Sequence, residues 1–77
     1  MNIYQFVDTI EHTNEGVFTY HVAGDKNDFA AWIKDVLNDE VLYYQVVHEK
    51  ERYWFVQKVR QRIKDLEEQA TRSAGQQ

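Results

Sequence analysis

Residues 26–42, KNDFAAWIKDVLNDEVL, carry the most regular apolar pattern in the chain, and this pattern constrains the fold more than any other feature. The spacing is i, i+3, i+4, i+7 and i+8, and the apolar residues at these positions are Phe29, Trp32, Ile33, Val36 and Leu37. At 3.6 residues per turn, this spacing places all five on one face of a helix. It predicts an amphipathic helix with Trp32 in the middle of the buried stripe.

Polar residues at the ends of this pattern predict where the helix begins and ends. Asn27 or Asp28 can accept hydrogen bonds from the backbone N–H groups of the first turn. Asn38 is suited to the end of the helix because asparagine tolerates left-handed backbone. Asp39 can then cap a second helix that contains Leu42. The stretch therefore predicts a helix, a tight corner and the start of another helix.

Residues 50–69 carry a second helical pattern. Its apolar stripe has spacings of three, four and three residues and consists of Val56, Val59, Ile63 and Leu66. The stripe can pack on the apolar face of residues 26–42, or it can form a seam between two copies of the chain. The sequence alone leaves both alternatives open. Just before the stripe, Tyr53, Trp54 and Phe55 cannot all face one core, so one or two of them should lie at a rim or an interface.

The first 25 residues fit two structures. Ile3, Phe6, Val7 and Ile10 have helical spacing, whereas GVFTYHV at residues 16–22 also alternates as a strand would. The absence of proline and the presence of only three glycines favour helices with short connections. We predict an all-α fold, a small bundle of short helices with a longer C-terminal helix. The alternative is an α+β fold with a short N-terminal hairpin.

The length of 77 residues predicts a single domain. We place it at residues 1–69, followed by a disordered tail at residues 70–77, because ATRSAGQQ is small and polar. No cysteine is present, which excludes disulfides and thiolate metal sites. His12, His21 and His48 match no familiar ligand spacing, even with Glu11, Glu15 or Glu49 nearby, so we predict neither a metal nor a cofactor.

The charge pattern bears on location and partners. The formal charge of −4 and the pI of about 5.2 argue against a general DNA-binding role, which usually needs a concentrated positive surface. The sequence shows neither a signal peptide nor a stretch of the roughly 20 apolar residues that span a bilayer. These observations predict a soluble cytoplasmic protein that does not interact with membranes.

The segment FTYHVAGDKNDFAAWIKDVLNDEVL resembles a family of small prokaryotic domains of unknown function, whose signature combines an aromatic–His stretch with Asn-Asp-Phe-x-x-Trp-Ile. The matching residues are Phe18, His21, Val22, Asn27, Asp28, Phe29, Trp32, Ile33, Val36, Asp39 and Leu42. The sequence departs from the family at Asn38, where glycine is frequent, and at Tyr43, where a small residue is expected. The resemblance covers about the middle third of the chain. It implies a small, mostly helical module and no activity, cofactor or partner.

His21 and Asp28 are the one pair that suggests catalysis, since a His–carboxylate pair can act as a general base. The ordinary interpretation is that Asp28 caps the helix and His21 bonds to nearby backbone. No nucleophile or second acid is marked in the sequence, so we predict that the protein is not an enzyme.

Two surfaces are candidates for a partner. The first is aromatic and consists of Tyr43, Tyr44, Tyr53 and Trp54, because protein interfaces are enriched in Tyr and Trp. It predicts a protein–protein interaction or assembly module, with a protein partner or self-association. The alternative is a nucleic-acid-associated regulator that uses the helical corner and a basic run on the last helix, Lys58, Arg60, Arg62 and Lys64. A charge run on a helix is usually its solvated face, and nucleic acid is the less favoured partner.

Overall fold

The computed structural model describes residues 1–75 and contains five helices within them. They are α1 (Ile3–His12), α2 (Glu15–His21), α3 (Asp28–Asp35), α4 (Glu40–Val46) and α5 (Arg52–Gly75). No strand occurs in residues 1–75, so the all-α prediction with a longer C-terminal helix is confirmed. The alternative N-terminal hairpin does not form.

Short polar side chains start the first four helices. Asn2 accepts a hydrogen bond from the backbone N–H of Gln5 at 2.9 Å, and the Gln5 side chain accepts one from the Asn2 N–H in return. Asn14 accepts from the N–H of Gly16 at 2.8 Å and starts α2. Such caps satisfy N–H groups that have no partner within the helix. They explain why the ambiguous residues 16–22 become helical despite their β-branched and aromatic content.

The core lies where α1, α2, α3 and α4 surround the first half of α5. Its buried residues are Phe6, Val7, Ile10, Phe18, Val22, Ala30, Ile33, Leu42, Val46, Phe55, Val56, Val59 and Ile63. The Phe55 ring is at its centre, with centroids 5.6 Å from Phe18, 6.0 Å from Phe29 and 6.5 Å from Phe6. Aromatic rings supply large apolar areas, so a short chain can build this core from few residues.

The stripe of residues 29–37 is buried less completely than its spacing predicts. Trp32 is only partly buried, and its ring stacks on Phe6 with centroids 4.6 Å apart. Val36 is 52% exposed because α3 ends at Asp35 and the chain turns away from the core. Asn38 makes that turn in left-handed backbone, with a φ of 55°, as the sequence predicts. Asp39 then caps α4 by accepting from the N–H of Leu42 at 3.0 Å.

The apolar stripe of α5 packs inside its own chain. Val56, Val59 and Ile63 belong to the core, whereas Leu66 is 36% exposed at the end of the stripe. The seam between two copies is therefore not needed to bury these residues, because α1 and α4 already cover them. The consecutive aromatic residues divide as expected, since Phe55 is buried while Tyr53 and Trp54 are exposed.

Beyond Ile63 the last helix leaves the body of the bundle. Residues 66–74 are all exposed, and the described part of the chain measures 47 × 21 × 20 Å. The helix continues to Gly75, past the start of the tail predicted at residue 70, because ATRSA contains no helix-breaking residue. Residues 76 and 77 of that predicted tail lie outside the described residues.

Asn27 holds two helices together. Its Oδ1 accepts from the N–H of Ala30 at 2.9 Å and caps α3. Its Nδ2 donates to the carbonyl oxygens of Val46 at 3.2 Å and Val47 at 3.3 Å, at the end of α4. The residue is buried, so these groups have little access to water that could replace the bonds. One side chain thus forms hydrogen bonds with backbone groups at the start of α3 and at the end of α4.

We expect Asn27→Ala to lower the free energy of unfolding by about 2–3 kcal/mol, because it removes the cap of α3 and the two hydrogen bonds that the buried amide donates to the end of α4. Asn14→Ala is the matched control, since Asn14 caps α2 but is exposed. Asn14→Ala should lower the free energy of unfolding by about 1 kcal/mol. Urea unfolding followed by circular dichroism measures both. If both variants lose the same free energy of unfolding, the hydrogen bonds from Asn27 to α4 do not contribute to stability.

Ile63→Asp should unfold the domain, because it inserts a charge into the core of a small protein with little stability to lose. Leu66→Asp makes the same chemical change one turn later, at an exposed position, and should remain folded. Circular dichroism and light scattering distinguish the outcomes. A folded Ile63→Asp variant of reduced size would instead show that the stripe joins two copies.

Candidate functional site

The four aromatic residues proposed to bind a partner form two edge-to-face pairs. The rings of Tyr43 and Tyr44 are 5.2 Å apart at 79°, and those of Tyr53 and Trp54 are 4.9 Å apart at 87°. Tyr44 is 72% exposed, Tyr53 62% and Trp54 52%, whereas Tyr43 is partly buried against the core. Three of the four side chains are therefore open to a partner.

The core-facing residues of α4 explain why Tyr44 points outward. Leu42 and Val46, one turn apart, are fully buried, so Val41 and Tyr44 lie on the outer side of the same helix. Tyr43 lies between these two sides and carries the Lys34 ammonium 5.2 Å from its ring centroid. This cation–π contact joins α3 to α4 beside the exposed ring of Tyr44.

A groove of about 550 Å³ lies beside this face, between the α3–α4 corner and α5. We call it the corner groove, and its lining residues are Lys34, Leu37, Asn38, Asp39, Glu40, Val41, Arg62 and Leu66. Val41 is 52% exposed. The spacing of Leu37 and Leu66 places both residues in apolar stripes, so the sequence does not predict this groove. The available signal is the corner itself, which ends the stripe of residues 29–37 and leaves apolar residues at its rim.

An ion pair fixes the wall of the corner groove. Arg62 donates through Nε to Asp39 Oδ2 at 2.9 Å, and both side chains are largely buried. Burial alone would raise the pKa of Asp39, but the hydrogen bonds from Arg62 and from the backbone of Leu42 outweigh it and lower that pKa. Asp39 therefore stays ionised, and its pair with Arg62 ties α5 to the corner.

The basic run of α5 is divided among several contacts within the chain. Lys58 pairs with Glu49 at 2.9 Å, Arg60 pairs with Glu11 of α1, and Arg62 pairs with Asp39. Of the four residues proposed to contact nucleic acid, Lys64 alone has no carboxylate partner within residues 1–75. Residues 58 and 62 lie on one side of the helix, and residues 60 and 64 lie on another. The run therefore does not form one free basic surface.

His21 and Asp28 contact each other directly, contrary to the interpretation that Asp28 caps α3. His21 Nδ1 lies 2.8 Å from Asp28 Oδ2, and Asn27 provides the cap. The hydrogen bond with His21 lowers the pKa of Asp28, burial opposes this shift, and Lys26, 3.7 Å away, adds to it. The His21 side chain is partly buried, whereas that of Asp28 is exposed. The pair joins the end of α2 to the start of α3.

The only group of potential metal ligands in residues 1–75 is Asp8, Glu11 and His12, which were not predicted as a set. All three are exposed on α1. Glu11 already pairs with Arg60, and His12 Nδ1 bonds to the carbonyl oxygen of Asp8 at 2.8 Å. Local contacts account for each of these side chains, so they indicate no metal site.

Comparison of the chain with protein families, with characterised proteins and with solved structures found no match. The resemblance to small prokaryotic domains of unknown function therefore stays a prediction. In the part of the chain that the structure describes, no helix has the length and apolar character that crossing a membrane requires.

The His21–Asp28 pair predicts how stability depends on pH. The pKa of Asp28 is lowered from 3.8, so its ionised form stabilises the folded state above that pH. This contribution is lost as the pH falls through the folded-state pKa. Asp28→Asn should therefore be less stable than the wild type at pH 5 and should converge with it in acid.

Thermal unfolding measured at intervals from pH 5 down to pH 2 tests this expectation. Asp25→Asn, which removes an exposed carboxyl in the loop before α3, controls for the loss of one negative charge. If both variants show the same pH dependence, the His21–Asp28 contact contributes nothing to stability.

Proposed function

We propose that this domain is a protein–protein interaction or assembly module that acts in the cytoplasm without catalysis. The observation that supports this most strongly is the exposure of Tyr44, Tyr53 and Trp54 on a domain whose core is already complete. Exposed aromatic rings of this size are common at binding surfaces because they bring large contact areas at little cost in side-chain entropy.

The placement of these rings supports a binding role over a structural one. Tyr44 lies on the outer side of α4, while Leu42 and Val46 of the same helix pack in the core. Trp54 lies beside the buried Phe55 at the start of α5. The rings are therefore presented by rigid helices and do not contribute to the central packing. A partner can bury them without disturbing the fold.

The two other candidate sites, the His21–Asp28 pair and the basic run of α5, are consistent with a binding module. The His21–Asp28 pair has no cysteine beside it, because the chain contains none, and no nucleophile is in hydrogen-bond contact with it within residues 1–75. The basic run of α5 is largely paired with carboxylates, so a nucleic acid would have to displace these contacts. Neither feature favours an enzyme or a nucleic-acid regulator.

A photo-crosslinking amino acid introduced in cells at position 44 or 54 should form adducts with a protein. The control is position 20, because Tyr20 is 66% exposed but lies on α2, outside the proposed surface. Gel mobility and mass spectrometry then report the size and identity of each adduct. Self-association would appear as an adduct of twice the mass of the chain.

Tyr44→Ser should remove the adducts formed from position 54, and Trp54→Ser should remove those formed from position 44. Each substitution should change the free energy of unfolding by less than about 1 kcal/mol, as expected at exposed positions. Equal adduct formation from positions 20, 44 and 54 would contradict the proposed surface. A large loss of stability in either variant would show that the ring has a structural role.

A further inference from the structure

We propose that Lys50 is a charge-dependent latch, which holds the end of α2 and most of the loop before α3 against the rest of the domain. We call this stretch, residues 19–26, the latched segment. When Lys50 loses its positive charge, by acylation or by substitution, the segment opens locally while the other helices stay folded. This conformational change does not depend on the proposed binding function.

The ammonium group of Lys50 bonds to backbone carbonyl groups of the latched segment. It donates to the carbonyl oxygen of Val22, the residue that ends α2, and to that of Gly24 at 2.6 Å. Carbonyl groups at the end of a helix lack partners within the helix and carry partial negative charge, so an ammonium group is well suited to them. No carboxylate pairs with Lys50 within residues 1–75, so its charge acts on these carbonyl groups.

The backbone that carries Lys50 is itself fixed to α4 and α5. The carboxylate of Glu49 accepts from the backbone N–H groups of Lys50 and Glu51 at 3.0 and 3.1 Å, and it pairs with Lys58 at 2.9 Å. The N–H of Glu49 donates to the carbonyl oxygen of Val46 at 2.9 Å. The latch is therefore mounted on a firmly held loop, and the segment that it holds is the part free to move.

The latched segment has few other contacts with the domain. Val22 is its one buried side chain, and its remaining side chains are exposed or, at His21, partly buried. In the part of the chain that the structure describes, its ion pairs are both with Asp28, one from His21 and one from Lys26. Segments that bury few apolar groups open locally at a lower free energy than the core.

Loss of the charge on Lys50 weakens both hydrogen bonds at once. An acylated lysine is neutral and keeps a single N–H, so it cannot donate to two carbonyl groups. The open form then becomes more populated. Opening moves Val22 out of the core and separates His21 from Asp28, whereas Phe18, fully buried one turn before Val22, keeps the start of α2 in place.

Hydrogen exchange of the backbone amides, followed by NMR on the full chain, detects such local opening. In the wild type, the amides of residues 19–22 should exchange faster than the slowest amides of α5, which report unfolding of the whole domain. Low concentrations of urea should accelerate the α5 amides and should affect residues 19–22 little, because local opening exposes little surface.

Lys50→Met should accelerate exchange at residues 19–22 by about tenfold, because it removes two charge-assisted hydrogen bonds that the closed form makes. Acetyl-lysine introduced at position 50 should have the same effect, and circular dichroism should show that both proteins remain folded. Lys50→Arg keeps the charge and should keep exchange slow. Lys64→Met is the matched control, since Lys64 is exposed and has no carboxylate partner within residues 1–75, and it should leave residues 19–22 unchanged.

Four results would overturn the latch. If residues 19–22 of the wild type exchange as slowly as α5 and with the same urea dependence, the segment does not open locally. If Lys50→Met accelerates only the α5 amides, local opening does not break the bonds of Lys50. An unfolded Lys50→Met protein would show that Lys50 holds the whole bundle. Fast exchange in Lys50→Arg would show that charge is not what closes the segment.

Discussion

The fold depends on the buried side chain of Asn27, which acts on two helices at once. The amide oxygen starts α3, and the amide nitrogen bonds to the carbonyl groups of Val46 and Val47 at the end of α4. Because α3 and α4 are also joined by the turn at Asn38, the two helices are fixed at both ends. This arrangement holds the corner in one geometry, and the corner determines where Val41, Tyr44 and the groove lie.

Ion pairs extend this arrangement to α5. Arg60 reaches α1, Arg62 reaches the corner, and Lys58 reaches the loop that follows α4. Exposed pairs contribute little each, typically below about 1 kcal/mol, and the more buried Arg62–Asp39 pair has the clearest structural role. Their larger consequence is for the surface, because they occupy Lys58, Arg60 and Arg62 of the basic run. The basic run therefore does not form one free basic surface.

The sequence predicts the helices, their caps and the turn between α3 and α4. It does not predict contacts between distant residues, and the reason is physical. Helix periodicity and capping residues predict the all-α fold, the left-handed turn at Asn38 and the cap at Asp39, because these depend on neighbouring residues. The second role of Asn27 depends on Val46, nineteen residues away, and spacing alone cannot reveal it. The pairing of Arg60 with Glu11 and of Arg62 with Asp39 is likewise long-range. The His21–Asp28 contact spans only seven residues, and the sequence suggests that pair. Periodicity also overestimates the burial of Trp32 and Val36, since it does not show where the core ends.

One face of α4 and of α5 packs in the core, and another face of the same helix carries the proposed interface. The residues that stabilise the fold are therefore different from those proposed to bind. On α4, Leu42 and Val46 face inward while Val41 and Tyr44 face outward; on α5, Phe55 is buried while Trp54 is exposed. Helical geometry keeps adjacent residues on different sides, so a change at one side need not disturb the other. The large apolar side chains on the outer side do not contribute to the core of this chain. Under the proposed function, burial against a partner would give these side chains the apolar contacts that the core gives their neighbours.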